Sequence, residues 1–492
     1  MKKFIILILV SFLVLVQGLT YGQAPIQQHI DWQAGLLNLD LDSNQEADLQ
    51  FKNRFFNQYY MVYQQFLRTM VCQSFENHAR LSALVDIILD LGRDQKQDIR
   101  EDFEKTSYIS GSLLLRAVSA AQYGEYANSA KDLYRAYRYY LDMVKLQPNH
   151  NSTKIYGGIL AILYGKLPNE YYNWLAIIGI RLDPEDGFRQ LKEVYYSTRE
   201  SGGTENLEPA LIVIIALKEF DEDPKAAWHF IQMEGLKKHS NVLVRYYSAV
   251  AAFRAGYTHE ALQLIDDLDK HGEAEKIPYA YYMKGRFLLY QDDPLAIEAF
   301  KKFFMLNRGE NYIKSAWQKM GWYFIMQDKK AMASDCFQKV GSEGYNFLSA
   351  DQQALREVEN ESVPLKDILR LRLLFDGGFY EKCLDNCSHF EKSRYRDLSN
   401  RQIVEVLYRQ ARSHQYLGNH ARALDYYRQI VEDFTDVPSY QVPNAALQAG
   451  ILLGISGQKQ EAEIMLSKCL KINNYGYQAT IRREAHSEKR KL

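Results

Sequence analysis

Small residues recur in pairs along the second half of this sequence: Ala249 with Ala261, Gly285 with Ala296, Gly321 with Ala333, Ala411 with Ala423 and Gly450 with Ala462. Each second member is followed four residues later by an apolar or aromatic side chain. Such self-similarity constrains the fold strongly, because a helix pair that cannot bury its apolar face alone must stack on copies of itself. A glycine or alanine there marks a point where two helices touch, and filling the contact costs about 1–3 kcal/mol. Positions 249, 285 and 321 stand 36 apart, and 371, 411 and 450 follow at steps of 40 and 39, the excess falling in longer helices or loops. Within a unit the chain turns at Gly256, Gly418 or Gly457, as a helix C-cap with positive φ requires. Asp376-Gly377-Gly378 turns the unit that has Cys383 in its small position, and Asp223-Pro224 turns the unit through Ala226 and Phe230. A fainter copy contains Ala117, Gly124 and Ser129.

The unit beginning at Trp317 runs through Met320-Gly321, Phe324, Ala333 and Phe337, which follows the W, LG, Y, A and F spacing of the tetratricopeptide repeat. The sequence therefore predicts an all-α fold, a right-handed tetratricopeptide-like α-solenoid of antiparallel helix pairs with an embedded helical insert. Its expected organisation is an export signal at 1–22, an N-terminal helical region at 23–110 and a degenerate helix pair at 111–149. An apolar helical insert at 150–205, a repeat array at 206–472 and a basic C-terminal cap or tail at 473–492 complete it. A linking helix near 349–360, capped by Ser349, interrupts the array. In the insert, Asp183 is placed to cap a helix starting at Pro184.

A narrower resemblance follows from the order of motifs. Gly157-Gly158, Leu167-Pro168 and Trp174 to Ile180 precede Gly187-Phe188 to Leu191, then Tyr282-Met283-Lys284-Gly285-Arg286, then Trp317 to Trp322. The ending Asn473-Asn474-Tyr475-Gly476-Tyr477 with Ile481-Arg482-Arg483 closes the series. Across most of residues 110–485 this order resembles the family of the fungal inclusion-body-clearance protein and its animal tetratricopeptide relatives. The resemblance implies a helical scaffold; that family is intracellular, whereas this N-terminus points to export.

Lys2 and Lys3 precede an apolar run from Phe4 to Val16 and a cleavage-suited stretch ending at Gly22, the layout of a signal peptide. The run is short of the roughly 20 residues a spanning helix needs, so the mature chain is expected to be periplasmic or secreted and to lack a transmembrane helix. With 60 basic against 61 acidic side chains, no global field draws nucleic acid. The basic residues Arg482, Arg483, Lys489, Arg490 and Lys491 are expected to solvate a terminal cap, leaving peripheral envelope association open. Five cysteines do not form a disulfide framework, and Cys383 with Cys387, four apart, has no second pair at zinc spacing. No metal or cofactor is expected.

No phosphate loop, serine elbow, zinc helix or CxxC pair is present, and Ser201-Gly202-Gly203-Thr204 reads as an interhelix loop. The informative pattern lies on the first helices of the repeats, which face the concave side and stack residues four apart. Tyr282, Arg286 and Tyr290 share one face, and Tyr408, Arg412 and Tyr416 repeat it, with Tyr246, Arg254, Trp322 and Arg372 nearby in register. Guanidinium beside rigid aromatic rings suits a peptide or carboxylate; equally, the same spacing allows the residues to stack on one another within the chain. The leading expectation is a non-catalytic scaffold holding a protein or peptide partner in this groove. A solute- or lipid-binding protein using the apolar insert at 155–180 is the second reading, and an enzyme the third.

Overall fold

The computed structural model describes Leu39, Leu41 and residues 54–93, 102–165, 182–200, 207–221, 223–360, 365–393, 395–473, 475 and 478–492. The expected export segment, the insert from 166 to 181, the loop at 201–206, and Asn474, Gly476 and Tyr477 lie outside the described residues.

Twenty-two α-helices and no strand are found among the described residues. They pair as hairpins: α1 (Arg54–Val71) with α2 (Phe75–Arg93), α3 (Phe103–Gln122) with α4 (Tyr126–Leu146), α5 (Asn151–Gly165) with α6 (Pro184–Glu200), and α7 (Leu207–Phe220) with α8 (Ala226–Met233). The array continues with α9 (Val242–Arg254) and α10 (Thr258–Lys270), α11 (Pro278–Tyr290) and α12 (Leu295–Leu306), and α13 (Ile313–Met326) and α14 (Lys330–Ser342). A single helix, α15 (Ser349–Glu359), packs on α13 and α14 before α16 (Lys366–Asp376) with α17 (Tyr380–Lys392). Two further pairs follow, α18 (Asn400–Tyr416) with α19 (His420–Asp433) and α20 (Gln441–Ile455) with α21 (Lys459–Lys471), and α22 (Gln478–Lys491) caps them.

The small residues explain the pairing atom by atom. A Cβ on Gly285 would lie 2.7 Å from the Phe300 ring, one on Gly321 2.5 Å from Phe337, and one on Gly450 2.6 Å from Leu466. Each of those partners is the side chain four residues beyond the small residue of the second helix, so one helix supplies the hollow and the other the knob. Ala249, Ala261, Ala411 and Ala423 are fully buried at the equivalent crossings. Gly158 and Gly187 form a tighter crossing still: a Cβ on either would sit 2.9 or 2.7 Å from the other's carbonyl oxygen, so α5 and α6 meet backbone to backbone. The turns at Gly256, Gly418 and Gly457 have φ of 90°, 78° and 79°.

Two local details depart from or refine the sequence reading. Ser349 is the first residue of α15, not its cap; Leu348 holds the N-cap position and no side chain caps this end. Asp183 does cap α6, its Oδ1 accepting from the Glu185 N–H at 3.0 Å. α7 is buried on nearly all sides, as expected of a helix apolar around its whole circumference.

Contacts between turns wind the array tightly. The α1–α2 turn reaches the α12–α13 loop: Glu310 N–H donates to the Gln73 carbonyl at 3.1 Å, and Asn311 Nδ2 donates to Gln73 Oε1 at 2.8 Å. Phe75 adds edge contacts to Tyr345 and Phe347 at 5.5 and 5.2 Å between centroids. Farther along, Thr258 Oγ1 donates to the Gly377 carbonyl, joining the α9–α10 turn to the α16–α17 turn. No described helix is long and apolar enough to cross a membrane.

Candidate functional site

The N-terminal hairpin and the repeat helices together form a chamber. Tyr246 and Arg254 from α9, Tyr282, Arg286 and Tyr290 from α11, and Trp322 from α13 line one cavity of about 570 Å³. Leu67, Met70 and Gln73 at the end of α1 close its opposite side. Of the other candidate residues, Arg372, Tyr408, Arg412 and Tyr416 stand outside this cavity, farther down the inner wall.

Local sequence fixes the chamber wall. Asn241 caps α9, its Oδ1 accepting from the Val244 N–H at 3.1 Å, and Pro278 opens α11 in the first turn, where its missing N–H costs nothing. α13 begins after Tyr312 in a left-handed conformation, φ 64°. Its first N–H groups are capped from another helix: Asp351 of α15 accepts from Tyr312 N–H at 2.7 Å and Ser315 N–H at 2.9 Å. Burial pushes the Asp351 carboxyl up to about 6, against the pull of these two bonds.

Inside the chamber the Tyr282–Arg286–Tyr290 face is bonded to itself. Arg286 Nε and Nη2 donate to Tyr290 Oη at 3.1 and 3.0 Å, and the guanidinium lies over the Phe253, Tyr282 and Tyr290 rings at 5.0, 5.6 and 5.8 Å. Tyr282 is 1% exposed and Tyr290 4%. Tyr282 Oη and Ser315 Oγ are 2.9 Å apart, and Lys319 Nζ donates to the same Ser315 Oγ at 3.1 Å. Lys319 also lies 4.7 Å from the Trp322 ring. Burial, with the nearby Arg286 charge, brings the Lys319 ammonium down to about 7.

Below the chamber runs a buried ion network. Trp322 Nε1 donates to Glu357 Oε1 at 2.6 Å, and Arg372 Nη1 donates to Glu357 Oε2 at 3.0 Å. Arg372 also approaches Glu405 at 3.7 Å, while Arg409 pairs with Glu405 at 3.0 Å and with Asp376 at 3.5 Å. Burial would raise the Glu405 carboxyl, but Arg409 and Arg372 outweigh it and hold it below its ordinary value. Tyr408 is buried against Tyr427 and Tyr440.

The second Tyr-Arg-Tyr face ends differently. Arg412 Nη2 donates to Tyr416 Oη at 3.1 Å, the same i, i+4 bond as in α11, but Tyr416 is 39% exposed. Its ring stacks on Tyr380 with centroids 4.8 Å apart and planes 3° from parallel. Arg254, whose side chain is exposed, lies within electrostatic reach of Tyr416 across the seam where the two turns meet.

The sequence reading missed Lys319, Arg409 and Lys218, the last a lining residue on α7 whose ammonium burial brings down to about 7. Lys319 and Arg409 both stand two residues before the small crossing residue, at the position Tyr247 and Met283 occupy in other units. A register that included this position would have found them. All five cysteines are free, and no described group of three or more His, Cys, Asp or Glu could hold a metal ion.

No family profile matches the sequence, and no curated protein matches it. Among solved structures, the crystal structure of yeast Tom70 aligns over 94% of this chain and 96% of that one, with 14% sequence identity and a TM-score of 0.27. The fold class stands on the helix packing described above.

Proposed function

We propose that this chain is an exported, non-catalytic scaffold that holds a protein or peptide partner on the accessible part of its inner wall, where Arg254, Tyr380, Arg412 and Tyr416 meet. The observation that carries this reading is the parallel Tyr380–Tyr416 stack, solvent-facing and held by Arg412. Rigid aromatic rings beside guanidinium groups are the residue types that concentrate binding energy in protein interfaces. Micromolar affinity is about 8 kcal/mol, and charged hydrogen bonds at about 1.5–3 kcal/mol each require several groups to act together.

Crosslinking with mass spectrometry in the native cell envelope tests the reading. Partner crosslinks are expected around Tyr416, and Arg412→Ala or Tyr416→Ala should reduce them at least tenfold with little change in melting temperature. Crosslinks that survive both substitutions would defeat it. Export is tested separately, by N-terminal sequencing of chain recovered outside the cytoplasm; a mature end just beyond Gly22 is expected. The narrower kinship with the inclusion-body-clearance family also belongs to this proposal. It is supported by Gly158 and Gly187, two of the quoted motif residues, which form the backbone-to-backbone crossing of α5 and α6.

A further inference from the structure

The chamber's own chemistry is distinct from that of the exposed seam. Arg286 and Lys319 both line it, and among the described residues neither makes an ion pair. The carboxylates nearest to them are committed elsewhere: Glu357 to Trp322 and Arg372, Asp376 to Arg409, and Asp351 to the backbone at the start of α13. Desolvated cations without a close carboxylate are costly, and an anion brought between them recovers Coulomb energy in a low-dielectric site. The same lining includes apolar side chains, Leu67 and Met70 from α1 and Val250 and Met283 from the repeat helices. A cavity of about 570 Å³ is of the size that accepts small molecules.

We propose that this chamber binds a small amphipathic organic carboxylate, its head between Arg286 and Lys319 and its apolar body against the α1 side. Arg286 offers guanidinium N–H groups in the fork geometry that matches a carboxylate, and Lys319 adds a point charge. An extended peptide fits less well, because the α1–α2 hairpin is bonded across the groove at Gln73 and closes the path such a ligand would take. An inorganic anion would leave the apolar side without a partner. The site shares Arg254 with the partner surface, but its ligand contacts are at Arg286 and Lys319, and failure here leaves the Tyr380–Tyr416 stack in place.

The test is calorimetric titration of the full chain with decanoate, decanol, inorganic phosphate and a hexapeptide bearing a free C-terminal carboxylate. Decanoate should bind at least tenfold more tightly than each of the others. Its affinity should fall as pH rises through about 7, because Lys319, faced by Arg286, Asp351, Glu357, Arg372 and Asp376, loses its proton there. Arg286→Met and Lys319→Met should each weaken decanoate at least tenfold, whereas Lys319→Arg should keep the binding and lessen its pH dependence, the remainder coming from Lys218 in the same lining, which burial also brings down to about 7. Decanol or phosphate binding as tightly as decanoate overturns the proposal, and so does tighter binding of the peptide. The wild-type comparisons and the pH profile decide the matter even if a Met variant fails to fold.

Discussion

Two helices carry the same Tyr-Arg-Tyr face, yet one is enclosed and the other is open. In α11, Tyr282 and Tyr290 are buried, and Arg286 is ringed by three aromatic groups; in α18, Tyr408 is buried but Tyr416 reaches solvent. Both make the same bond from the arginine to the following tyrosine hydroxyl. The local pattern therefore sets the ladder, while its exposure is set by what the rest of the chain lays over it. For α11 that cover is Phe253 against Tyr290, Phe300, Phe303 and Tyr312 around Tyr282, and the Gly377 backbone beside Tyr290; the α1–α2 hairpin, fastened at Gln73 to the loop at 309–311, adds Leu67 and Met70 to the cavity lining. The core divides along the same line: one continuous apolar cluster spans the N-terminal hairpin through α16, and a separate one serves α18 to α22.

The comparison can be broken first at its common element. Gly285→Leu in the enclosed unit and Gly450→Leu in the open one should each cost about 3 kcal/mol, read by urea unfolding, because the crossing is the same in both. A large difference between the two would mean that the crossings are not equivalent. Gly309→Val is expected to act on one region only, since its Cβ would lie 2.8 Å from the Gln73 backbone. Hydrogen exchange should quicken in residues 54–93 and in α11, and stay unchanged in α18. Arg286→Ala should cost about 2 kcal/mol, the loss of desolvated cation–π contact, against about 0.5 kcal/mol for the partly exposed Arg412→Ala. Equal losses in thermal melts would remove the distinction.

A last effect concerns pH. Lys319 has a folded pKa lowered to about 7, whereas the unfolded chain holds a lysine proton up to about 10.4. The unfolded state thus binds more protons between those values, and stability rises with pH as the folded ammonium gives up its charge. Unfolding free energy measured between pH 7 and 9 should show this upward slope, and Lys319→Met should reduce it, Lys218, also brought down to about 7, supplying the rest.

Much of the array was legible because its contacts are local. Gly321 meets Phe337 within one hairpin, and the four-residue offset from Ala333 announces the pairing in sequence. Gly256 and Gly457 turn the chain as their positions imply. The chamber was not legible, because its closing contact joins Gln73 to Asn311, two loop residues with no periodic relation to each other. Asp351 capping a helix that precedes it by nearly forty positions is a tertiary substitute for a local cap, and it went unseen for the same reason. Lys319 was passed over because a lysine on a helix reads as solvent-facing until the neighbouring elements are placed around it.

Tyrosine footprinting of the full chain by mass spectrometry puts the enclosure directly to the test. Tyr416 should label readily while Tyr282 and Tyr290 stay protected. Labelling of Tyr282 and Tyr290 at the rate of Tyr416 in the unmodified protein would contradict the burial of the α11 face.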